Sequence, residues 1–357
     1  MPNFYDDWLK MYDKSQYEIS QSRKKIDEEE LEWVDTVQDH KAALMISPET
    51  GFRTWGTTTM TSEIPPGART GQHKHGEESI LIVRGTGYSI VDNIRYDWHP
   101  YSVLGIPFGA VHQHFNIGDE TVRMVHILTP HLEHWCGLSR FIQLEEKGMI
   151  GREPDVEVSP DGFNAEGTRI VLHREDAPRA RGENDGVPIP SASSIAALGD
   201  FDPEHPLILG DLAGMGKLPE GFHHGGGRGA SYQSARSEAN GFKNVETEIS
   251  SILSDEPFAY GGMHAHMEAH LYCTAGHGYT LVGEEKVHWK PGTAWWVPGP
   301  QTPHRHVNES DEHSEMVRIA FGIRYFFERA AKREFPYLYL SPRQAVLEAN
   351  KQGAGRR

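Results

Sequence analysis

From about Phe52 onward the chain is written in short apolar runs broken by turn residues. Trp55–Ile64, Ser79–Val83, Tyr88–Val91, Ser102–Ile106, His112–Asn116 and Val122–Leu128 are rich in β-branched and aromatic side chains. Pro65-Pro66-Gly67, Gly85-Thr86-Gly87, Asp92-Asn93 and Pro107-Phe108-Gly109 punctuate them. Many short strands at regular spacing predict a sandwich or barrel. The same rhythm returns over Val245–Leu253, His270–Leu281, Thr293–Val297, His304–Val307 and Met316–Ile323. The ends read differently. Residues 1–45 look helical, with Phe4, Trp8, Leu9 and Met11 ahead of the charged stretch Ser22–Glu32, and are expected to form an arm packed on a neighbour. A second amphipathic helix is expected near Tyr325–Lys332. Between the strand-rich halves, Glu153–Asp161, Glu175–Pro190 and the glycine-rich His223–Gly229 break the pattern. A connector or a lid over a pocket would account for them. The expected organisation is an arm (1–50), a first domain (51–140), a connector with a possible lid (141–240), a second domain (241–328) and a tail (329–357).

The two strand-rich halves repeat one another. His73-Lys74-His75 with His112-Gln113-His114-Phe115-Asn116 returns as His264-Ala265-His266 with His304-Arg305-His306-Val307-Asn308. The copies lie 191 (264 − 73) and 192 (304 − 112) residues apart. Gly85-Thr86-Gly87-Tyr88-Ser89 matches Gly276-His277-Gly278-Tyr279-Thr280 at the same offset, so a domain has been duplicated. Imidazoles at alternate strand positions share one face. His73, His75 and His112, and likewise His264, His266 and His304, are therefore candidate metal ligands. Three neutral imidazoles leave positions open and suit Fe(II), and also Mn, Ni, Cu or Zn.

His114 and His306 follow a proposed ligand by two residues and are candidates for proton transfer, or else hydrogen-bonded interior histidines. His270 stands four residues after His266 as a possible fourth ligand or a pocket histidine. Val122-Arg123-Met124 is aligned with Val317-Arg318-Ile319. Arg123 and Arg318 are thereby candidates to hold a carboxylate or phenolate, with a structural salt bridge as the alternative. Trp295 and Trp296 read as core or as the lining of an aromatic pocket.

Composition narrows the partners. The formal charge is −16, which argues against a general nucleic-acid or anionic-membrane binder. A local arginine or a metal ion can still reverse the field in a cleft. Two cysteines, Cys136 and Cys273, read as free thiols in a reducing compartment, and a cytoplasmic location is expected. Residues 1–30 lack a leader-like apolar stretch, and no run of about 18 apolar residues suggests a membrane span. Phosphate-loop, serine-elbow and zinc-ribbon signatures are missing.

The histidine elements resemble the cupin superfamily, and their duplication resembles a bicupin. Gly67, His73, His75, Glu78 and Gly85 follow the first cupin element, and Pro107, Gly109, His112 and Asn116 the second, with Tyr101 in place of its leading glycine. The second copy supplies His264, His266, Gly276, Gly292, Pro298, His304 and Asn308. Its glutamate position is taken by His270 or shifted to Glu268. Glu78 sits one residue closer to its histidine pair than the family pattern, so the fourth ligand stays open between Glu78 and His270. The resemblance implies an all-β fold of two jelly-roll barrels with a helical N-terminal arm and a C-terminal helix. It implies a mononuclear non-haem Fe(II) dioxygenase cleaving a hydroxylated aromatic ring, of the gentisate, salicylate or hydroquinone type, working on a small aromatic substrate and O2 in a homo-oligomer. The first copy is the expected working site. The alternatives are a Mn(II) or other metal-dependent bicupin of the oxalate decarboxylase or quercetinase type, and a non-catalytic ligand-binding bicupin.

Overall fold

The structure, a computed structural model, describes residues 3–138, 140–177, 179–181, 228–234, 240–261, 268–283, 285–299, 302 and 304–321. His264, His266, the lid expectation over His223–Gly227 and the helix expected near Tyr325–Lys332 lie outside the described residues. What is described is all-β with two α-helices, α1 (Phe4–Gln21) and α2 (Pro130–Trp135).

The first barrel is built from two sheets. One runs in the order Val171–Leu172, Val103–Ile106, Glu78–Arg84, Val122–Leu128, Thr58–Ile64, Lys41–Ile46. The other runs Ile142–Glu145, Gln72–Lys74, His112–Asn116, Gly87–Val91, Ile94–Trp98, Glu157–Val158. The segment 142–172, expected as connector, thus contributes strands to both sheets. The second barrel is one curled sheet: Lys25–Ile26, Ala294–Val297, Ala269–Ala275, Ser314–Phe321, Thr247–Tyr260, His304–Asn308, Gly278–Val282, Glu285–Trp289. Its 14-residue strand Thr247–Tyr260 turns the corner, pairing with Ser314–Phe321 and, at Tyr260, with Val307.

Strand alternation divides the apolar residues between separate cores. On Val122–Leu128, Met124 faces the interior of the first barrel, whereas Val125 and Ile127 face the second barrel. Adjacent tryptophans diverge in the same way. Trp295 fills the second barrel and stacks on Trp289 at 5.7 Å, while Trp296 enters the core between the barrels. Both are fully buried, which settles their role as core. The repeated Gly-x-Gly has a steric cause: a β-carbon on Gly87 or Gly278 would lie 2.0 Å from the carbonyl oxygen of Phe115 or Val307.

Polar contacts repeat across the junction of the barrels. Glu77 Oε2 accepts hydrogen bonds from the backbone N–H groups of Val245 (2.7 Å) and Glu246 (2.6 Å), just ahead of the first long strand of the second barrel. Glu268 reciprocates, accepting from the Trp55 N–H at 3.0 Å ahead of the strand Thr58–Ile64, and from Trp296 Nε1 at 2.7 Å. Trp55 and Glu246 are 191 residues apart, as are Glu77 and Glu268, so the clasp is as old as the duplication.

Two expectations are corrected, one for the arm and one for Arg123. Helix ends at Gln21 rather than near residue 45, with a capping box between Asn3 and Asp6 at its start. Beyond it the chain lacks a 3.6-residue apolar face and instead pairs with sheet edges, which offer unfilled backbone groups. Lys25–Ile26 pairs with Ala294–Trp295 of the second barrel, and Lys41–Ile46 with the strand Thr58–Ile64 of the first. This part of the arm packs on its own chain. Arg123 is the second correction. Its guanidinium pairs with Glu28 of the arm and with Glu63, and lies 5.2 Å from the Trp33 ring centre. It shares the strand face of Val125 and Ile127, turned away from the barrel interior, so it is a structural ion pair.

Replacing Arg123 by Ala leaves Glu63 poorly exposed without its main counter-charge. Arg84 and Lys41 remain 3.1 and 3.8 Å from Glu63, so the expected cost is about 1.5–3 kcal/mol in urea unfolding, the scale of a lost charge-assisted hydrogen bond rather than of a carboxylate left alone. Metal content of the first barrel should be unchanged, which separates this role from a ligand-binding one.

Candidate metal centre

The strand Gln72–Lys74 carries His73, and His75 follows on the same face. His112 opens the strand His112–Asn116 directly opposite His73 in the ladder. The three rings converge, with centroids 4.3 Å apart for His73 and His112 and 4.8 Å apart for His75 with either neighbour. Their orientation is fixed from behind. In two of them Nδ1–H donates to a carbonyl, that of Gly76 for His75 (3.1 Å) and that of Ala110 for His112 (2.9 Å). Those bonds select the tautomer whose Nε2 lone pair faces inward. His73 Nε2 and His112 Nε2 approach to 2.6 Å.

Glu78 joins them. Its strand begins immediately beyond His75, and its Oε2 lies 3.3 Å from His112 Nε2 and 3.7 Å from His75 Nε2. That oxygen is buried and has no hydrogen-bond partner among the described residues. One donor atom from each of His73, His75, Glu78 and His112 falls within 4.8 Å of the others. Glu78, not His270, is the carboxylate or imidazole nearest the triad.

Protonation suits a cation. Burial, with neighbouring imidazoles, pushes His73 well below the usual histidine range, and burial pushes His75 down to about 4. Burial alone would raise Glu78, but His126, His112 and His75 around it hold its carboxyl well below the usual range. Neutral imidazoles beside an ionised carboxylate are what a divalent ion requires of its ligands. A buried carboxylate oxygen without a donor, aimed at inward lone pairs, fits such an ion and fits little else. The mixed N/O donor set suits Fe(II) or Mn(II).

Around this cluster, His114 is buried with Nδ1 2.7 Å from Ser89 Oγ, and its ring centre is 5.8 Å from that of His112. Burial, and His112 next, lower it to about 3. Phe141, a residue 56% exposed, stacks on His75 at 4.8 Å and forms an apolar wall at the edge of the site. His126 was missed in the sequence. Its Nδ1 lies 2.8 Å from Glu78 Oε1 and its Nε2 2.7 Å from Ser62 Oγ. The available signal was strand alternation: on Val122–Leu128 it is the one polar residue on the face shared with Met124.

In the second barrel, His304 repeats the back-side bond of His112, its Nδ1–H donating to Thr302 at 2.9 Å. His306 pairs with Thr280 (2.8 Å) as His114 pairs with Ser89. Asn116 and Asn308 clamp equivalent turns, each donating to a carbonyl four residues on, of Glu120 and Glu312. Elsewhere the copies part. The ladder places Ala269 opposite Val297 as it places Glu78 opposite Ile106, so alanine stands in the carboxylate's place. His270 occupies the place of Ser79, on the opposite strand face from Leu271 and the barrel interior. It bonds Thr59 of the first barrel (Nδ1 to Oγ1, 2.7 Å) and belongs to the interface, so it is not placed as a fourth ligand to His304. Arg318 lies opposite Leu271 as His126 lies opposite Ile80, so its counterpart is His126 and not Arg123. Its Nε donates to Ser250 Oγ at 2.9 Å.

Residues 60–128 match the family described as the cupin domain. No curated protein matches the chain. Among solved structures, the salicylate 1,2-dioxygenase of Pseudaminobacter salicylatoxidans is similar with a TM-score of 0.50 and 10% identity, over 78% of this chain and 73% of that one. Oxalate decarboxylase of Bacillus subtilis, with its Mn(II) centres, is similar with a TM-score of 0.55 and 12% identity, over 84% of this chain and 77% of that one. At such identities the likeness speaks for the fold. With a cupin-domain match over residues 60–128 and the same barrel repeated in the second half, the chain has the two-barrel, all-β fold of the bicupins.

Proposed function

We propose that this bicupin is a metal-dependent dioxygenase acting on a small hydroxylated aromatic compound, with Fe(II) or Mn(II) held by His73, His75, His112 and Glu78. One observation carries the metal dependence and the choice of barrel: four donor atoms converge inside the first barrel, while Ala269 stands in the carboxylate's place in the second. Bound there, the ion would supply Lewis acidity and redox chemistry toward dioxygen.

The protein's own contributions follow from the geometry. The Gly76 and Ala110 carbonyls keep two ligand rings aimed inward before any ion arrives, so little reorganisation is needed on binding. Glu78 offsets one unit of positive charge in a site that burial makes intolerant of excess charge. Phe141 offers an aromatic face beside His75 and supports an aromatic rather than a strongly polar substrate. His114, neutral and held by Ser89, is the candidate to pass a proton. His306 is the equivalent candidate in the second barrel, and Arg318 is a candidate anion-holding group there.

A second reading, an oxalate decarboxylase type, is favoured by Glu78 itself, which completes a set of three histidines and one carboxylate. The exposed face of α1, with Phe4, Tyr5, Trp8 and Leu9 each more than half exposed, supports assembly into a homo-oligomer. Two free thiols support a reducing, cytoplasmic location.

Two outcomes are expected. Purified protein should contain iron or manganese and consume oxygen with at least one of gentisate, salicylate, hydroquinone and hydroxynaphthoate. Carbon dioxide release from oxalate, with no oxygen uptake on any aromatic, would instead establish the second reading. His112→Ala should abolish turnover, at least a hundredfold, and lower metal content, whereas His304→Ala should retain metal in the first barrel and most of the rate. The opposite pattern in the two variants would move the centre to the second barrel.

A further inference from the structure

We infer that His126 is a positioning residue that holds Glu78 as a ligand, through a relay from Ser62 to His126 to Glu78 to the ion site, and that this pair was kept in one barrel and lost as a unit in the other. The inference rests on the reading that the first barrel is the metal centre.

The contacts run in one line. Ser62 Oγ bonds His126 Nε2 at 2.7 Å, His126 Nδ1 bonds Glu78 Oε1 at 2.8 Å, and Glu78 Oε2 turns toward His75 and His112. His126 is 5% and Glu78 4% exposed, so water does not compete for the carboxylate. Oε1 is occupied by His126, and Oε2 alone is left to face the ligand rings. A carboxylate bonded in this way presents one oxygen in one orientation, and partners of this kind strengthen ligand basicity and fix ligand direction. Without His126, Oε1 would have no N–H donor in a dry barrel, and nothing would hold the carboxylate in the orientation that turns Oε2 to the ligand rings.

The duplication supplies independent support. The strand ladders place Ala269 at the position of Glu78 and Arg318 at that of His126. Where the carboxylate is missing, its histidine partner is missing too. The serine at the far end is missing as well: Ser62 pairs with Met124 as Leu253 pairs with Met316, so leucine stands in its place, and Arg318 Nε bonds instead Ser250, at the register shift of its strand. The histidines that the two barrels share, at 112 and 304 and at 114 and 306, keep their back-side bonds in both copies. His126 is therefore tied to the presence of Glu78 and not to the stability of a cupin barrel in general.

The test measures Co(II) and Mn(II) binding to metal-stripped full-length protein by calorimetry, with the Co(II) visible spectrum as a second readout, and needs no turnover. His126→Leu is expected to weaken binding about 10- to 100-fold and to shift the Co(II) spectrum toward that of Glu78→Ala. His126→Asn, which restores an N–H donor near the Nδ1 position, is expected within about threefold of the unaltered protein, on the scale of a hydrogen bond kept. The double variant His126→Leu/Glu78→Ala should bind no more weakly than Glu78→Ala alone. Affinity and spectrum unchanged in His126→Leu, or losses that multiply in the double variant, would overturn the positioning role while leaving the metal centre in place. Metal binding that is indifferent to both His112→Ala and Glu78→Ala would instead remove the centre itself, and the inference with it.

Discussion

A charged carboxylate sealed inside a β-barrel is the constraint around which the first domain is arranged. Glu78 cannot be solvated there, and its Oε2 has no hydrogen-bond donor among the described residues. Removing a charge from water is tolerable only when other charges or strong donors replace the solvent. His126 meets one oxygen, and a cation held with three imidazoles would meet the other. Each supporting feature serves that balance: the backbone carbonyls that select tautomers, the apolar packing that keeps water out, and the strands that fix donor directions.

The two barrels show which parts of the motif belong to the fold and which to chemistry. The asparagines clamp a turn in both copies, the glycines admit a close backbone approach in both, and Glu77 and Glu268 clasp the opposite barrel in both. These are requirements of building and joining two jelly rolls. Glu78 and His126 have no such duty, and they are absent from the second copy. A fold can carry many activities, so the unequal residues are the ones that say where activity resides.

Adjacent residues in the barrels often serve different cores, and this is where reading the chain alone becomes unreliable. Trp295 and Trp296 fill different compartments although they are neighbours in sequence. Glu77 and Glu78 divide in the same way, one a clasp between barrels and the other a candidate ligand. Glu268 and His270 looked like substitutes for a missing ligand because their distance from His266 was suitable. Ladder register instead assigns them to the interface. Arg123 and Arg318 looked equivalent because both follow a valine, yet the pairings separate them by a strand face.

The periodic strands, the duplication, the histidine triad of the first half and the expectation of a metal were all legible in the residues, because side-chain alternation and motif spacing are local properties. His112 could be brought to His73 on paper because the repeat demanded it. What the tertiary structure alone decided was direction. A one-residue change in register turns every side chain to the other face of a sheet, and no local pattern states which strand lies across. The fourth donor, its partner His126, the return of the arm onto both barrels and the true counterpart of Arg318 are all consequences of that pairing.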